Sequence, residues 1–244
     1  MQALILAAGM GTRLGEYTKD KPKCMVEINN KTLIETQVES LIRNGINKII
    51  IACGYKKEKI IEHLADKYKE CEFIFIENNK YESTNNIYTL YLAKEYLKQD
   101  DTILLESDLI LQDDIIKNVI KSNGTDVIAV SKYKNWMDGT CVTIDNNMRL
   151  NKIYTKQYFD EDKTDQYYKT INIYKLSKTF CQEKYIPNLE NYIHQGKTSN
   201  YYEEVFKELE DEAKMNVEIF DKEKWYEIDT AYDLDVAKSL FEKL

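Results

Sequence analysis

The chain has 244 residues, 43% hydrophobic and 31% charged, which is enough apolar material for a sizeable core without a disulfide framework or a structural metal. Thirty-four Lys and Arg against 42 Asp and Glu leave a formal charge of −8. That balance argues against nucleic acid or an anionic membrane as the main partner, while leaving room for a small anion in a local basic pocket. No apolar run reaches the roughly 18 residues of a membrane span, and Gln2-Ala3-Leu4-Ile5-Leu6 reads as a core strand rather than a leader. The five cysteines (Cys24, Cys53, Cys71, Cys141, Cys181) are scattered without a CxxC, so free thiols in a cytoplasmic protein are expected. With only His63 and His194 available, a zinc site or a Ser/His/Asp triad has little to build on.

In chain order, short apolar runs predict buried strands at Ala3–Ala7, Lys48–Cys53, Phe73–Ile76, Thr102–Leu105 and Asp126–Val130. Helical patterns lie between them. Thr32 and Glu35 have capping-box spacing ahead of Ile34, Val38, Leu41 and Ile42. Ile61, Leu64, Ala65 and Tyr68 form a second stripe, and Leu90, Ala93 and Leu97 a third. After Trp136 the spacing predicts a hairpin, Cys141–Asp145 with Arg149–Tyr154, and a strand Tyr168–Tyr174 beyond the polar stretch 160–165. Helices are expected near 177–195 and 200–209, then a strand over 216–220 and a helix from Thr230, whose pairing with Asp233 is a second capping box. Strand–helix alternation of this kind predicts an α/β fold: a Rossmann-like, mostly parallel sheet flanked by helices, with a small C-terminal acceptor-side subregion. No Pro/Gly/Ser linker divides it, so a single domain over 1–244 is expected, in two parts, 1–133 and 134–244, which the family resemblance given below implies are nucleotide-binding and acceptor-binding. In such sheets ligands bind beyond the carboxyl ends of the strands.

The first strand runs into Ala8-Gly9-Met10-Gly11-Thr12-Arg13-Leu14, followed by Lys21-Pro22-Lys23. Glycines here let the backbone approach a ligand, successive N–H groups make an anion nest, and Arg13, Lys21 and Lys23 add positive charge; phosphate suits the combination. The dinucleotide fingerprint fails because Leu14 stands where a third glycine is required, and no GK[ST] follows for a P-loop. Two further strands end in acids, Leu104-Leu105-Glu106-Ser107-Asp108 and Trp225-Tyr226-Glu227-Ile228-Asp229. Carboxylates at two strand ends supply the hard oxygen ligands that Mg²⁺ takes, with phosphate and water able to complete its coordination.

Taken as a whole, Leu4–Arg13 with Lys21-Pro22-Lys23 and Val26-Glu27-Ile28 resembles the sugar-nucleotidyltransferase family. Asn78-Asn79-Lys80-Tyr81, Asn85–Tyr91 and Trp225–Asp229 resemble its bacterial phosphocholine cytidylyltransferase branch, which includes enzymes activating 2-aminoethylphosphonate and related phosphorylated amines. The resemblance implies that Leu6, Ala7, Ala8, Gly9, Met10, Gly11, Thr12 and Arg13 cradle CTP, that Lys23 lies near its α-phosphate, and that Asp108 and Asp229 hold Mg²⁺. It places Asn78, Asn79, Asn85 and Asn86 in the cytosine-reading region, and Arg13 and Lys23 as charge-neutralising catalytic groups. On the acceptor side it points to Trp136, whose face attracts ammonium groups. Tyr201 and Glu204 are added as neighbours off the helix's core stripe, and Lys152 as a partner for the acceptor's phosphate. Glu106 stands where this branch often carries Asp, and its role stays open. The implied reaction is CMP transfer to phosphocholine, phosphoethanolamine, 2-aminoethylphosphonate or a phosphorylated amino acid such as phosphoglutamine, for surface polysaccharide or lipid decoration. Three alternatives remain: a sugar-1-phosphate nucleotidyltransferase using UTP or dTTP, a silent nucleotide-binding regulator, and an NAD-dependent dehydrogenase. Oligomeric state is not readable from these residues.

Overall fold

A computed structural model describes residues 1–65 and 67–242. The strand Gln2–Ala7 is buried at every residue and lies between Lys48–Cys53 and Thr102–Glu106, all parallel, with Glu72–Glu77 parallel at the outer edge. Its side chains alternate between two cores, as a strand's period of two requires. Leu4 and Leu6 face helices containing Ile87, Leu90 and Leu189. Ala3, Ile5 and Ala7 face Ile34, Val38, Ile60 and Ile116 on the opposite layer. The sheet continues on the other side through Tyr168–Leu176, antiparallel to Thr102–Glu106, and has nine strands among the described residues. Tyr168–Leu176 also pairs with Val127–Lys132 and with the hairpin strand Cys141–Ile144, while Asn216–Ile219 lies parallel beside Val127–Lys132.

The mixed, mostly parallel sheet between helices is the expected α/β architecture, and strand bounds agree to within one or two residues, with Lys48–Cys53 identical. Both capping boxes form: Thr32 Oγ1 accepts from the Glu35 N–H at 3.2 Å, and Thr230 Oγ1 from the Asp233 N–H at 3.2 Å. The second helical stripe needs correcting. In the helix Lys57–Ala65 it is Ile60 and Leu64 that are buried, while Ala65 is exposed, so the apolar face begins one residue earlier than expected. The long helix expected near 177–195 forms over Lys178–His194, with a π-helical stretch at Cys181–Tyr185 between the α-helical runs Lys178–Phe180 and Ile186–His194. All five cysteines are free thiols. No helix among the described residues is long and apolar enough to cross a membrane.

Two unanticipated features position the site. Leu109–Leu111 leaves the turn at Ser107-Asp108 and pairs antiparallel with Trp225–Glu227, so that the Ile228 N–H donates to the Asp108 carbonyl at 2.9 Å. This short ladder sets Asp108 and Asp229 side by side although 121 positions separate them. Within Tyr168–Leu176 the pairing register shifts between Thr170 and Tyr174, where Asn172 adopts φ 55°. Asn tolerates that left-handed geometry, and such a bulge bends its strand; Asn172 thereby faces the cavity described next.

Candidate active site

A cavity of about 920 Å³ opens beyond the carboxyl ends of Gln2–Ala7 and Thr102–Glu106. Leu6, Ala8, Gly9, Gly11, Thr12 and Arg13 form one side of it. Gly11 has φ +67°, and a Cβ there would meet Lys23 Cβ at 2.9 Å, so glycine is demanded both by conformation and by the lysine stem. A Cβ on Gly9 would meet nothing within 4 Å, which leaves that backbone open to a ligand. Ala7 is buried behind this wall, and Met10 is half-buried outside the lining.

Lys23 Nζ stands 2.6 Å from Asp108 Oδ2 and 2.6 Å from Asp229 Oδ1, and Arg13 Nη2 reaches the same Asp229 oxygen at 2.7 Å. Burial opposes the lysine's charge, but Asp108 and Asp229, by charge and hydrogen bond, outweigh it and raise its pKa above the ordinary value. Burial likewise works against the Asp229 carboxylate, and Lys23 followed by Arg13 reverses this and lowers its pKa. Carboxylate oxygens of Glu106, Asp108 and Glu227 lie within 4.8 Å of one another, an acidic cluster able to hold a divalent cation. The donors fit such an ion: all are hard oxygens, and Asp108 Oδ1 is buried with no hydrogen-bond partner. Asp108 therefore belongs to two candidate carboxylate sets, the expected pair with Asp229 and this cluster, which brings in Glu106 and Glu227.

The asparagines line the cavity at 78, 85 and 86, with Asn79 exposed outside the lining. Much of their bonding capacity is used in building the wall. Asn78 Nδ2 donates to Thr84 Oγ1 at 3.1 Å and to Thr89 Oγ1 at 3.0 Å, while its Oδ1 accepts from the Lys80 N–H at 2.8 Å. Asn85 caps the helix Asn86–Leu92. Asn86 Nδ2 donates to Glu106 Oε1 at 3.1 Å and its Oδ1 accepts from the Tyr202 N–H at 3.1 Å, leaving one amide hydrogen uncommitted.

Tyr201 and Glu204 also line the cavity, together with residues that sequence reading did not single out: Lys156, Lys169, Asn172, Glu203 and Glu227. Lys169 is 2% exposed, donates to the Thr170 carbonyl at 2.6 Å and lies 3.4 Å from Glu227 Oε2. Gly139, at φ +103°, makes room for it, since a Cβ there would sit 3.2 Å from Lys169 Nζ. Burial pushes the Glu203 carboxyl up to about 7, and burial followed by Asp108 and Glu203 raises Glu106 well above the usual range. The available signal was a charged residue inside an apolar strand, Lys169 among Tyr168–Leu176. For Glu203, at the start of a helix rich in acids, no local signal distinguishes it from a solvated face.

Two acceptor-side expectations fall outside the lining. Trp136 stacks on Tyr226, with ring centroids 5.2 Å apart and planes 11° off parallel, and is 51% exposed. Lys152 pairs with Glu210 and Asp211, each at 3.0 Å, because the strand Leu150–Tyr154 directs it to the neighbouring helix Glu210–Ala213.

The chain is 37% identical over 141 residues to a CTP:phosphoglutamine cytidylyltransferase of Campylobacter jejuni, an alignment covering 56% of the chain and 54% of the relative. It is 42% identical over 134 residues to a choline-phosphate cytidylyltransferase of Streptococcus pneumoniae, covering 55% and 54%. The alignments thus span about half the length of these curated relatives. The solved CTP:phosphocholine cytidylyltransferase of Streptococcus pneumoniae superposes with a TM-score of 0.80 at 26% identity, covering 98% of each chain. A glucose-1-phosphate thymidylyltransferase from Bacillus anthracis superposes at 0.81 with 17% identity, covering 100% of this chain and 96% of the other, a likeness of fold alone. The sequence profile of the Nucleotidyl transferase family matches residues 2–242, and the chain belongs to that family.

Proposed function

We propose that this chain is a Mg²⁺-dependent cytidylyltransferase that joins CMP to a phosphorylated or phosphonylated amine. One observation carries the reading: Lys23 and Arg13, beside an open glycine loop and bridged to Asp108 and Asp229, share a single cavity with the carboxyls of Glu106, Glu203 and Glu227. A triphosphate suits the loop and its cations, and a cationic amine the carboxyls. The named relatives act on CTP with phosphoglutamine or choline phosphate, which supports the same pairing here.

In this reading an anionic oxygen of the acceptor attacks the α-phosphorus of CTP. The new O–P bond forms as the bond to the bridging oxygen breaks, and pyrophosphate leaves. The acceptor brings its own nucleophile, so the protein supplies positioning and charge. Backbone N–H groups of Gly9–Thr12 and the Arg13 guanidinium hold the phosphates, and Lys23 neutralises charge at the α-phosphate. The remaining amide hydrogen of Asn86 and the side chain of Asn85 are the groups left to read cytosine. Asp108 and Asp229, with Glu106 and Glu227 adjacent, would hold Mg²⁺, which supplies charge neutralisation to the triphosphate when bound. Tyr201, Glu203 and Glu204 face the amine.

Pyrophosphate release tests this, measured for CTP, UTP, dTTP, ATP and GTP against phosphocholine, phosphoethanolamine, 2-aminoethylphosphonate, phosphoglutamine and glucose-1-phosphate. CTP with one of the amines is expected to exceed every other pairing by at least about tenfold, the scale of one well-placed discriminating contact. A faster reaction of UTP or dTTP with glucose-1-phosphate sinks the amine reading, and no pyrophosphate from any pair sinks the enzyme.

A further inference from the structure

We propose that Lys23 is the resident counter-ion of the metal position: its ammonium holds Asp108 and Asp229 together in the free protein and must leave them before a divalent cation enters. The inference rests on the nucleotidyltransferase reading and concerns how that site is loaded.

The geometry is one of mutual exclusion. Lys23 Nζ lies 2.6 Å from an oxygen of each carboxylate. A divalent cation bound to those same oxygens would sit about 2.0–2.6 Å from each. Both cannot occupy that volume. Arg13 already shares the Asp229 oxygen, so the pair is charge-satisfied without metal. The lysine's stem is fixed, because its Cβ and Cγ lie 2.9 and 3.0 Å from where a Cβ on Gly11 would stand. Only its outer end can swing, and the backbone at Gly9 borders open space. A triphosphate in that loop would give the released ammonium a replacement anion. Metal alone offers it none. Metal and nucleotide therefore bind with positive coupling, each tightening the other by the same factor.

The molecule also contains the alternative that can defeat this proposal. Asp108 Oδ1, on the side away from Lys23, has no partner, and Glu106 and Glu227 offer oxygens nearby. A cation held by Glu106, Asp108 and Glu227 would not need the lysine to move.

The decisive measurement is Mn²⁺ affinity without nucleotide, by electron paramagnetic resonance, for the unsubstituted protein, Lys23→Met and Lys156→Met. Lys156 supplies the control for loss of a positive charge at the cavity, since it is largely exposed and contacts neither Asp108 nor Asp229. Lys23→Met is expected to bind Mn²⁺ about tenfold tighter than the unsubstituted protein, within the usual span of coupling between sites. CTP should then tighten Mn²⁺ binding much more in the unsubstituted protein than in the variant. Equal Mn²⁺ affinity in the unsubstituted protein and Lys23→Met, or the same gain in Lys156→Met, overturns the proposal in favour of the Glu106–Asp108–Glu227 position. Should Lys23→Met not fold, the side-chain ¹⁵N signal of Lys23, assigned through Lys23→Arg, provides a second readout. It must shift on saturation with Mg²⁺; an unmoved signal overturns the exchange. The metal-only titrations depend on neither base nor acceptor. Failure of all nucleotides to tighten Mn²⁺ in either protein would instead count against the nucleotidyltransferase reading.

Discussion

Two adjoining parts of the cavity wall balance charge in opposite ways. In the glycine-loop part, Lys23, Arg13, Asp108 and Asp229 neutralise one another through short, direct contacts of 2.6–2.7 Å. Beside it, Glu106, Glu203 and Glu227 gather around the buried ammonium of Lys169, and Glu203 Oε2 has no hydrogen-bond partner. The first is a set of matched pairs. The second places three carboxyls around one lysine, and burial there raises the pKa of Glu106, Glu203 and Glu227.

Breaking the first part gives the largest expected effect. Lys23→Ala should reduce turnover on the order of 10²–10³-fold, or about 2.7–4 kcal/mol, as when one charge-stabilising donor is lost. Turnover within threefold of the unsubstituted enzyme would make this lysine a structural counter-ion only. Gly11→Ala strikes the same part through the backbone. A left-handed non-glycine residue costs about 1–2 kcal/mol, and the added methyl would press on Lys23 Cβ at 2.9 Å. A lower melting temperature together with reduced turnover is expected; unchanged values for both would show that the loop relaxes freely.

The second part is sharpened by pH. Burial raises the folded-state pKa of Glu203 from 4.5 to about 7. A raised carboxyl contributes stability that is fully present below its unfolded pKa and is lost as pH rises through the folded one. The protein should therefore lose stability relative to Glu203→Gln between about pH 4.5 and 7, a window set by those two values. Denaturant midpoints for both proteins at pH 5 and pH 7 measure this, and parallel midpoints would mean that Glu203 keeps its charge. The smallest effect belongs to Lys152, which lies outside the cavity lining with Glu210 and Asp211 as partners. Lys152→Met should change stability by about 0–1 kcal/mol, as for an exposed ion pair, and leave acceptor KM unchanged. A large rise in that KM would extend the acceptor side beyond the cavity described above.

Much of the first part was legible because its information is local. A strand ending in Gly9-Met10-Gly11 with Arg13 and Lys23 close behind advertises an anion site within a single stretch of chain. The caps at Thr32 and Thr230 are equally local, since each is a hydrogen-bonding arrangement complete within four residues. The residues expected on the acceptor side had no such compactness. Trp136 and Lys152 looked available in sequence, yet one stacks on Tyr226 and the other pairs with Glu210 and Asp211. Lys169, Glu203 and Glu227 gained their place only through burial, which depends on what packs above them.

The sequence by itself determined the alternation of strand and helix, a glycine loop with Arg13 and Lys23 close behind, and an acid at each of two strand ends. These follow from periodicities of 2 and 3.6 and from the short-range chemistry of glycine, lysine and carboxylate. Only the tertiary structure decided that Leu109–Leu111 pairs with Trp225–Glu227, setting Asp108 beside Asp229 with Lys23 between them. A three-residue ladder between distant segments leaves almost no imprint on either one. Its stability comes from the cluster it helps close, Ile110 and Tyr226 with Leu14, Ile228 and Leu234, rather than from the propensity of its own residues.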